Sequence, residues 1–540
     1  MKQIPRPLLA WLVAAAAVIV ALGASLPPDA FFAGDSGVKL IAAENAIRHP
    51  TRPFEIDLPR IGGRTSSAYL DPFFVPHGDH AHAVQSLVFP VVSAPLVALF
   101  GIRGAYILPA AAFVALVPLV WLVGRQLGVP CSPLVAGAVT VAANPLLFYS
   151  LEFWEHAPAA ATLAAATAAA CARRRSPTAT ALGSGLLGAV AVMLRPEALW
   201  YMAALAVVIW MDGAPRRHLA LIGLGFSIGL APLLSYNWWH FGSLAGLHAS
   251  ANLSALSHGW LGTRLQLIRL WMLPRTIPVL LALIALIAAW VAGARVGAAR
   301  GPRLLALLAA AALATSATRR WLDRESLWQA VPIASLALMP LTSQPPGRPR
   351  AAVLLGLTLL GVVLTASNDG GAQWGPRYLM IASPVAILLA ARGAGEVFRS
   401  RRWLECALVA AVLLASAMVS RAAYRELRGA KRHYSAIVRS TVDLTPAGSY
   451  VVSDLWWFDQ IAASRSTRNT FLFVADAPTG AALIRELEAA GVGSVFVVRS
   501  RARSPVGAMA QWVRGTCYSV REEDRLRQRE VSLHQLRCER

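Results

Sequence analysis

The stretch LLAWLVAAAAVIVALGASL, residues 8–26, carries no charged side chain, and many similar apolar blocks follow it. These blocks run for about 15 to 23 residues, the length that a helix needs to cross roughly 30 Å of hydrocarbon. Hydrophobic residues make up 56% of the 540 residues and charged residues only 14%. Soluble domains carry roughly 25% charged residues, so this composition excludes an ordinary soluble protein. The sequence therefore predicts an all-α polytopic membrane protein.

The membrane region is predicted to occupy residues 1–420, with about 13 transmembrane helices of the required length. The stretch 84–101 is also apolar, but it is short and contains Pro90 and Pro95, which disrupt helices. We interpret it as a juxtamembrane or re-entrant element that does not span. The predicted spans are residues 8–26, 104–124, 132–149, 157–172, 178–194, 198–211, 218–236, 276–293, 303–318, 327–342, 351–367, 378–393 and 403–420.

The net charge of +22 is typical of nucleic-acid-binding proteins, but here the arginines punctuate the apolar blocks, as at residues 173–175, 216–217 and 399–402. Such clusters in short loops mark the cytoplasmic ends of spans, so we expect a lipid bilayer and no nucleic acid as partner. This orientation places five segments outside, whereas Arg319, Arg320 and Arg324 break the charge rule. The outer segments are residues 27–103, 150–156, 195–197, 237–275 and 368–377.

Residues 421–540 are more polar and alternate short apolar strands with helical stretches. The strand signals are Tyr450–Val452, Phe471–Val474 and Val495–Val498, and a helical stretch covers Gly480 to Ala490. This pattern predicts a small C-terminal α/β domain, extracytoplasmic by the count of spans. Cys517 and Cys538 lie in this domain and can pair if it faces an oxidising compartment.

The segment AGDSG, residues 33–37, follows the first predicted span and precedes a helical stretch that carries Lys39. Asp35 or Ser36 can simply cap that helix. Alternatively, Asp35 is a carboxylate at the membrane surface that takes a proton from an acceptor hydroxyl.

Two further outer turns carry ionisable groups. In FYSLEFWEH, residues 148–156, Glu152, Glu155 and His156 share one side of a helical turn, where they can bind a metal, bind an acceptor or solvate the turn. In Arg195-Pro196-Glu197 a cation and a carboxylate flank a proline, as either a structural ion pair or a substrate contact.

The segment NDGGAQWGPRY, residues 368–378, places Arg377 at the start of a span at the outer lipid boundary. A guanidinium there suits the phosphate of a membrane lipid, because it offers two parallel charge-assisted hydrogen bonds. The alternative is that Arg377 snorkels to lipid head groups.

Taken in order with NPLLFY (144–149) and YNWWHFGS (236–243), these segments resemble the GT-C superfamily of integral-membrane glycosyltransferases. The resemblance covers roughly residues 8–395. It is strongest to the bacterial branch related to protein O-mannosyltransferases and aminoarabinose transferases, the family 39-like glycosyltransferases.

The resemblance implies an inverting transfer from a polyprenyl-phosphate sugar to an acceptor glycan, lipid or protein, outside the bacterial inner membrane. It implies that Asp35, as the first-loop acid, is the catalytic base or a ligand of the acceptor, although Ser36 stands where some relatives have a second acid. A divalent metal is possible, but the turn at 148–156 has glutamate where the family more usually has aspartate. The second-loop acid of the family matches either Glu152 or Glu155, and spacing does not decide between them. The candidate acceptor- or metal-binding residues are therefore Glu152, Glu155 and His156; the candidate donor-phosphate residues are Arg377, Arg195 and Lys39; and the supporting residues are Glu197, Trp374, Tyr378, Asn237 and His240.

Two other interpretations compete with an enzyme. A transporter or flippase of a lipid-linked substrate has the same length and charges, but it tends to show paired repeats and polar groups at mid-bilayer. A non-catalytic GT-C relative would lack a cavity joining Asp35 to Arg377. In the C-terminal domain, the aromatic cluster at residues 456–458 can stack on a sugar or belong to a core helix.

Overall fold

The computed structural model describes residues 5–66, 73–172, 177–247, 259–274, 276–296, 300–319, 326–339, 347–371, 373–500, 507–522 and 531–538. The chain forms two compact units. The membrane unit comprises Met1–Gly23 and Leu108–Glu426, and the second unit comprises Ala24–Ile107 and Leu427–Arg540.

The membrane unit is built almost entirely from helices. Its α-helices are Arg6–Ala24, Ile107–Leu127, Pro133–Ala142, Leu146–Ser150, His156–Ala170, Pro177–Leu194, Ala198–Met211, Arg216–Phe241, Gly259–Trp271, Ile277–Val296, Arg300–Thr318, Leu327–Ala330, Arg348–Thr365, Ser383–Ser400 and Trp403–Ser440, with 3-10 turns at Pro332–Leu338 and Arg377–Ala382. The last helix belongs to the second unit from Leu427 onward. In the described part of the chain, eight helices are long and apolar enough to cross a membrane, and three shorter apolar helices accompany them. The predicted multi-pass helical membrane protein is therefore confirmed.

Two predicted spans are not continuous helices. The helix Pro133–Ala142 ends before Asn144-Pro145, and a short helix, Leu146–Ser150, follows. The predicted span 327–342 is instead one helical turn, Leu327–Ala330, followed by a 3-10 segment that begins at Pro332 and ends at Leu338. The described part of this span ends at Met339. Proline lacks the N–H that continues an α-helix, which explains both interruptions.

The stretch 84–101 forms the helix Val88–Phe100, so Pro95 lies inside a helix rather than ending it. Thirteen residues rise only about 20 Å, too little to cross the bilayer. The chain then reverses: Gly101 has a φ of 59°, and a Cβ on Gly104 would lie 1.9 Å from the carbonyl oxygen of Leu96. Val88–Phe100 and Ile107–Leu127 are therefore separate helices, joined by the 3-10 turn Gly101–Tyr106.

The second unit contains the predicted C-terminal α/β domain, which is confirmed. Its strands run in the order Thr470–Phe473, Tyr450–Ser453, Ser494–Ser500, Val531–Cys538 and Tyr518–Glu522. The first three are parallel, and the last two are antiparallel to their neighbours. The helices of this segment are Phe458–Ile461, Ala477–Ala489 and Gly507–Val513.

Both faces of this sheet are buried, because successive side chains of a strand point to opposite faces. Val495 and Val497 pack with the helix Ala477–Ala489, whereas Phe496 and Val498 pack with Phe458 and Ile437. This gives a three-layer arrangement and explains why the predicted strands are continuous apolar runs.

The rest of the second unit is the first loop, which was predicted to belong to the membrane region. It contains the helices Gly34–Arg48 and Val88–Phe100, a 3-10 turn at Gly101–Tyr106, a three-stranded sheet and a hairpin. Ile61 of this loop lies in the core beneath the C-terminal sheet, and Tyr450 donates a hydrogen bond to the carbonyl of Arg60. The loop strands are Ile56–Asp57, Phe74–His77 and His80–Ala83, and the hairpin is Arg60–Ile61 with Arg64–Thr65.

Candidate active site

Arg195 is the centre of a buried ion-pair cluster in the membrane unit. Its Nη1 lies 3.0 Å from Oε1 of Glu155, and its Nη2 lies 2.8 Å from Oε1 of Glu197. Its buried Nε–H has no hydrogen-bond partner among the described residues. The structural ion pair with Glu197, one of the two predicted alternatives, is present, and Glu155 adds a second carboxylate from a distant turn.

A second guanidinium lies beside the first. The Cζ of Arg195 is 5.5 Å from the ring centroid of Tyr378, and the Cζ of Arg377 is 5.3 Å from the same centroid. Both distances are within the range of cation–π attraction. The Tyr378 hydroxyl donates to Oδ1 of Asn368 at 2.9 Å, which fixes the ring that both cations approach.

Tyr149 ties the turn at 146–156 to the segment that carries Arg377. Its hydroxyl donates to the carbonyl oxygen of Trp374 at 2.7 Å, and its ring stacks on His156 with centroids 4.3 Å apart. Phe148 also contacts the Trp374 ring. This role of Tyr149 was not predicted, although the residue lies in an aromatic cluster of the sequence, residues 148–154, which was the available signal.

The path of the 368–377 segment depends on Gly375. This glycine has a φ of 72°, and a Cβ there would lie 2.1 Å from the Cβ of Ala330. Both the left-handed backbone and the close approach require glycine, and together they set the position of Arg377 two residues later.

Glu152, Glu155 and His156 are all buried in the turn before His156–Ala170. Glu155 contacts Arg195, and His156 contacts the ring of Tyr149. In the described residues, no three His, Cys, Asp or Glu side chains are grouped so that they can hold a metal ion.

Two supporting residues of the sequence analysis lie at the end of the helix Arg216–Phe241. Asn237 donates to the carbonyl of Leu244 at 3.1 Å, and His240 stacks on Tyr236 with centroids 4.1 Å apart. These contacts are local to the helix end. Three arginines break the charge rule of the predicted orientation. Arg319 is exposed, and Arg320 and Arg324 lie outside the described residues.

Asp35 belongs to the second unit. It is the second residue of the first-loop helix, Gly34–Arg48, whose N-cap is Ala33 without a side-chain cap hydrogen bond. Neither Asp35 nor Ser36 is therefore the N-cap, the simpler of the two predicted roles. Asp35 is partly exposed, and Lys39, one turn later on the same side of the helix, is buried.

The first-loop helix packs directly against the C-terminal segment. A Cβ on Gly34 would lie 1.4 Å from Oε1 of Gln460, and a Cβ on Gly37 would lie 1.8 Å from the main-chain oxygen of Gln460. Gln460 lies in the helical turn Phe458–Ile461, which we name the docking turn. Glycine at these two positions therefore serves close helix packing beside Asp35.

The aromatic cluster at residues 456–458 divides between two environments. Phe458 is part of the sheet core, the environment that the core-helix alternative predicted. Trp456 is half exposed, and its ring lies 6.0 Å from that of Phe73 in the first loop.

Comparison with known proteins identifies the fold. No protein-family model and no curated protein sequence matches this chain. The structure is similar to that of ArnT from Cupriavidus metallidurans bound to undecaprenyl phosphate, with a TM-score of 0.53 and 13% sequence identity over 97% of this chain and 98% of that chain. It is also similar to ArnT from Cupriavidus metallidurans in the apo state, with a TM-score of 0.51 and 12% identity over the same shares of the two chains. The chain therefore shares the fold of these two structures, in agreement with the fold class that the sequence predicted.

Proposed function

We propose that the chain is a membrane glycosyltransferase that moves a sugar from a polyprenyl-phosphate donor to an acceptor hydroxyl, with inversion, on the extracytoplasmic face. A fold neighbour that is bound to undecaprenyl phosphate supports a lipid-phosphate donor. The observation that carries the proposal is the pair of guanidinium groups, Arg195 and Arg377, on the ring of Tyr378.

The two arginines have different roles in this proposal. Arg195 is held in place by Glu155 and Glu197, and its buried Nε–H is available as a donor to a ligand. Arg377 is the main phosphate ligand, because a guanidinium matches two phosphate oxygens in one plane. Lys39 is a further candidate for the donor phosphate.

The reaction needs a base and an electrostatic stabiliser. Asp35 takes the proton of the acceptor hydroxyl as its oxygen attacks the anomeric carbon. The bond from that carbon to the phosphate oxygen breaks, and the phosphodiester leaves as a polyprenyl phosphate monoester with one more negative charge. Arg377 stabilises that developing charge. Glu152 and His156 remain candidates for contacts to the acceptor or a metal.

The extracytoplasmic orientation has its own support in the second unit. Cys517 and Cys538 form a disulfide, and disulfides persist in oxidising compartments such as the bacterial periplasm. The arginine-rich helix ends at residues 216–217 and 399–402 support the opposite side as cytoplasmic.

The test is to offer the purified protein, reconstituted in lipid, a panel of radiolabelled polyprenyl-phosphate sugars. We expect consumption of one donor, with release of the polyprenyl phosphate. Arg377→Ala should raise the donor KM at least about tenfold, because a charge-assisted bidentate contact is lost. The matched control is Arg399→Ala, an exposed arginine near the other end of the following helix, which should behave as wild type.

Two outcomes would contradict the proposal. Movement of an unchanged donor across the vesicle bilayer would identify a flippase. Binding of a donor without turnover, with every acceptor class offered, would identify a non-catalytic relative.

A further inference from the structure

A cavity of about 630 Å³ lies in the membrane unit, away from the Arg195 cluster. It lies among the ends of three helices. Ala170 and Cys171 lie at the end of His156–Ala170, Ile209 and Asp212 lie at the end of Ala198–Met211, and Arg217 lies at the start of Arg216–Phe241. We name it the helix-end cavity. Its volume lies within the roughly 300–1,000 Å³ that ligand sites occupy.

The helix-end cavity and the Arg195 cluster lie at opposite ends of the same helices. The helix His156–Ala170 starts beside Glu155 and ends at the cavity, and its 15 residues rise about 22 Å. The helix Ala198–Met211 runs in the same way from Glu197 to the cavity. The cavity is therefore a separate site, on the side that the arginine-rich helix ends predict to be cytoplasmic.

The lining of the cavity is amphipathic and basic. Arg217, His218 and Arg350 contribute three basic side chains, and Asp212 is the one acidic side chain that lines the cavity in the described structure. Asp212 forms an ion pair with Arg350 and so fixes that guanidinium at the wall. The Nε2 of His218 donates to the carbonyl of Ala170 at 2.9 Å. The Arg217 side chain is exposed and supplies the positive charge at the mouth.

The remaining lining residues are mostly apolar, and we refer to them as the apolar wall. It includes Leu127, Val208, Ile209 and Leu221. A small inorganic anion would leave this wall uncovered, whereas a lipid can place its phosphate at the arginines and its glycerol and first methylene groups against the wall. Basic pockets between transmembrane helices on the cytoplasmic side bind anionic lipid head groups in this manner.

We propose that the helix-end cavity binds the phosphate head group of an anionic phospholipid of the cytoplasmic leaflet, with Arg217 and Arg350 as its phosphate ligands. The inference is independent of the proposed glycosyl transfer, since it uses none of the same residues. Lipid bound there would hold together the ends of several helices whose other ends form the candidate active site.

The experiment is native mass spectrometry of the full-length protein from detergent micelles, titrated separately with phosphatidylglycerol, phosphatidylcholine and inorganic phosphate. We expect saturable binding of phosphatidylglycerol at least about tenfold tighter than of phosphatidylcholine, because only the former has net negative charge. Inorganic phosphate at millimolar concentration should not displace it.

Three variants locate the site. Arg217→Ala should weaken phosphatidylglycerol binding about tenfold, whereas Arg216→Ala, its exposed neighbour that does not line the cavity, should leave it within about twofold. Leu221→Trp fills the cavity without changing its charge and should also weaken binding.

Three results would overturn the proposal. Equal loss in Arg216→Ala and Arg217→Ala would indicate diffuse surface attraction. Unchanged binding in Leu221→Trp would show that the lipid does not enter the cavity. Displacement by inorganic phosphate would assign the cavity to a soluble anion.

Discussion

The contact between the first-loop helix and the docking turn yields a prediction that can be worked from distances. In Gly34→Ala, the new Cβ would stand 1.4 Å from Oε1 and 2.6 Å from Cδ of Gln460. Gln460 is fully buried, and its Nε2 donates to the carbonyl of Trp456 at 3.0 Å, so the side chain cannot move without losing that bond. Overpacking of this kind typically costs about 1–3 kcal/mol.

Removal of the obstacle should reverse the effect. In Gly34→Ala with Gln460→Ala, the nearest remaining atom of residue 460 in the unaltered geometry is its Cβ, at 3.2 Å. A shift of a few tenths of an ångström accommodates that contact, so the double variant should recover most of the lost stability. Gly37→Ala should cost more and should not recover, because its Cβ would meet the main-chain oxygen of Gln460 at 1.8 Å.

The assay is thermal unfolding of the full-length protein in detergent, followed by a probe in the second unit. For a unit of roughly 200 residues, each kcal/mol corresponds to about 2–4 °C in Tm. Gly429→Ala is the control: this glycine lies within a helix with no neighbour within 4 Å, so alanine should stabilise by up to about 1 kcal/mol. A wild-type Tm for Gly34→Ala, or rescue of both glycine variants by Gln460→Ala, would refute the packing argument.

Three further predictions concern charge and covalent links. Burial raises the pKa of Asp459 well above its usual value. The folded protein therefore keeps a proton on this carboxyl group that the unfolded chain releases at about pH 4. As the pH rises above that value, the free energy of unfolding falls by up to about 1.4 kcal/mol per pH unit. Asp459→Asn should flatten this slope and raise the Tm at pH 7, and parallel Tm–pH curves would contradict it. Cys517→Ser removes the disulfide bond to Cys538 and should destabilise the second unit by about 3 kcal/mol. The control is Cys171→Ser, a free cysteine, which should not destabilise that unit. Equal effects of the two variants on Tm would argue against a structural disulfide. Arg195→Ala leaves the carboxylates of Glu155 and Glu197 uncompensated and should lower the free energy of unfolding by about 3–5 kcal/mol, measured by Tm and yield of folded protein. The triple variant, in which both glutamates are also changed to glutamine, should recover most of that stability. Failure to recover it would refute the ion-pair explanation.

The fold was largely predictable wherever hydrophobic length or period is decisive. The apolar block at 8–26 became the helix Arg6–Ala24, and the strand signals at 450–452 and 495–498 became two central strands of the sheet. These predictions held because burial on both faces of a sheet, or exposure to lipid, leaves a direct pattern in the sequence.

The ends of the helices that form the predicted spans were harder to predict. The predicted span 403–420 stops where hydropathy falls, yet the helix continues to Ser440, because a polar segment stays helical once its amphipathic face is buried. Hydropathy also gave no sign of the break in 327–342, where a single proline outweighs an apolar composition.

Contacts between distant parts of the chain could not be predicted at all. The pair of Arg195 with its neighbour Glu197 was one of two predicted alternatives, but the contact with Glu155 joins positions 40 residues apart. Likewise, nothing local in the first loop indicates that Ile61 enters the C-terminal core or that Gly34 packs on Gln460. Such pairings follow from tertiary packing, which a single sequence does not encode in any local pattern.

Single-turnover transfer by Asp35→Asn tests the central claim most directly, with donor affinity measured separately on the same protein. The control is Asp57→Asn, an acid of the same loop that pairs with Arg52 and His49. The account predicts a loss of transfer rate of about 10²–10⁴-fold in Asp35→Asn, donor affinity within about twofold of wild type, and normal transfer in the control. A wild-type transfer rate in Asp35→Asn would contradict it.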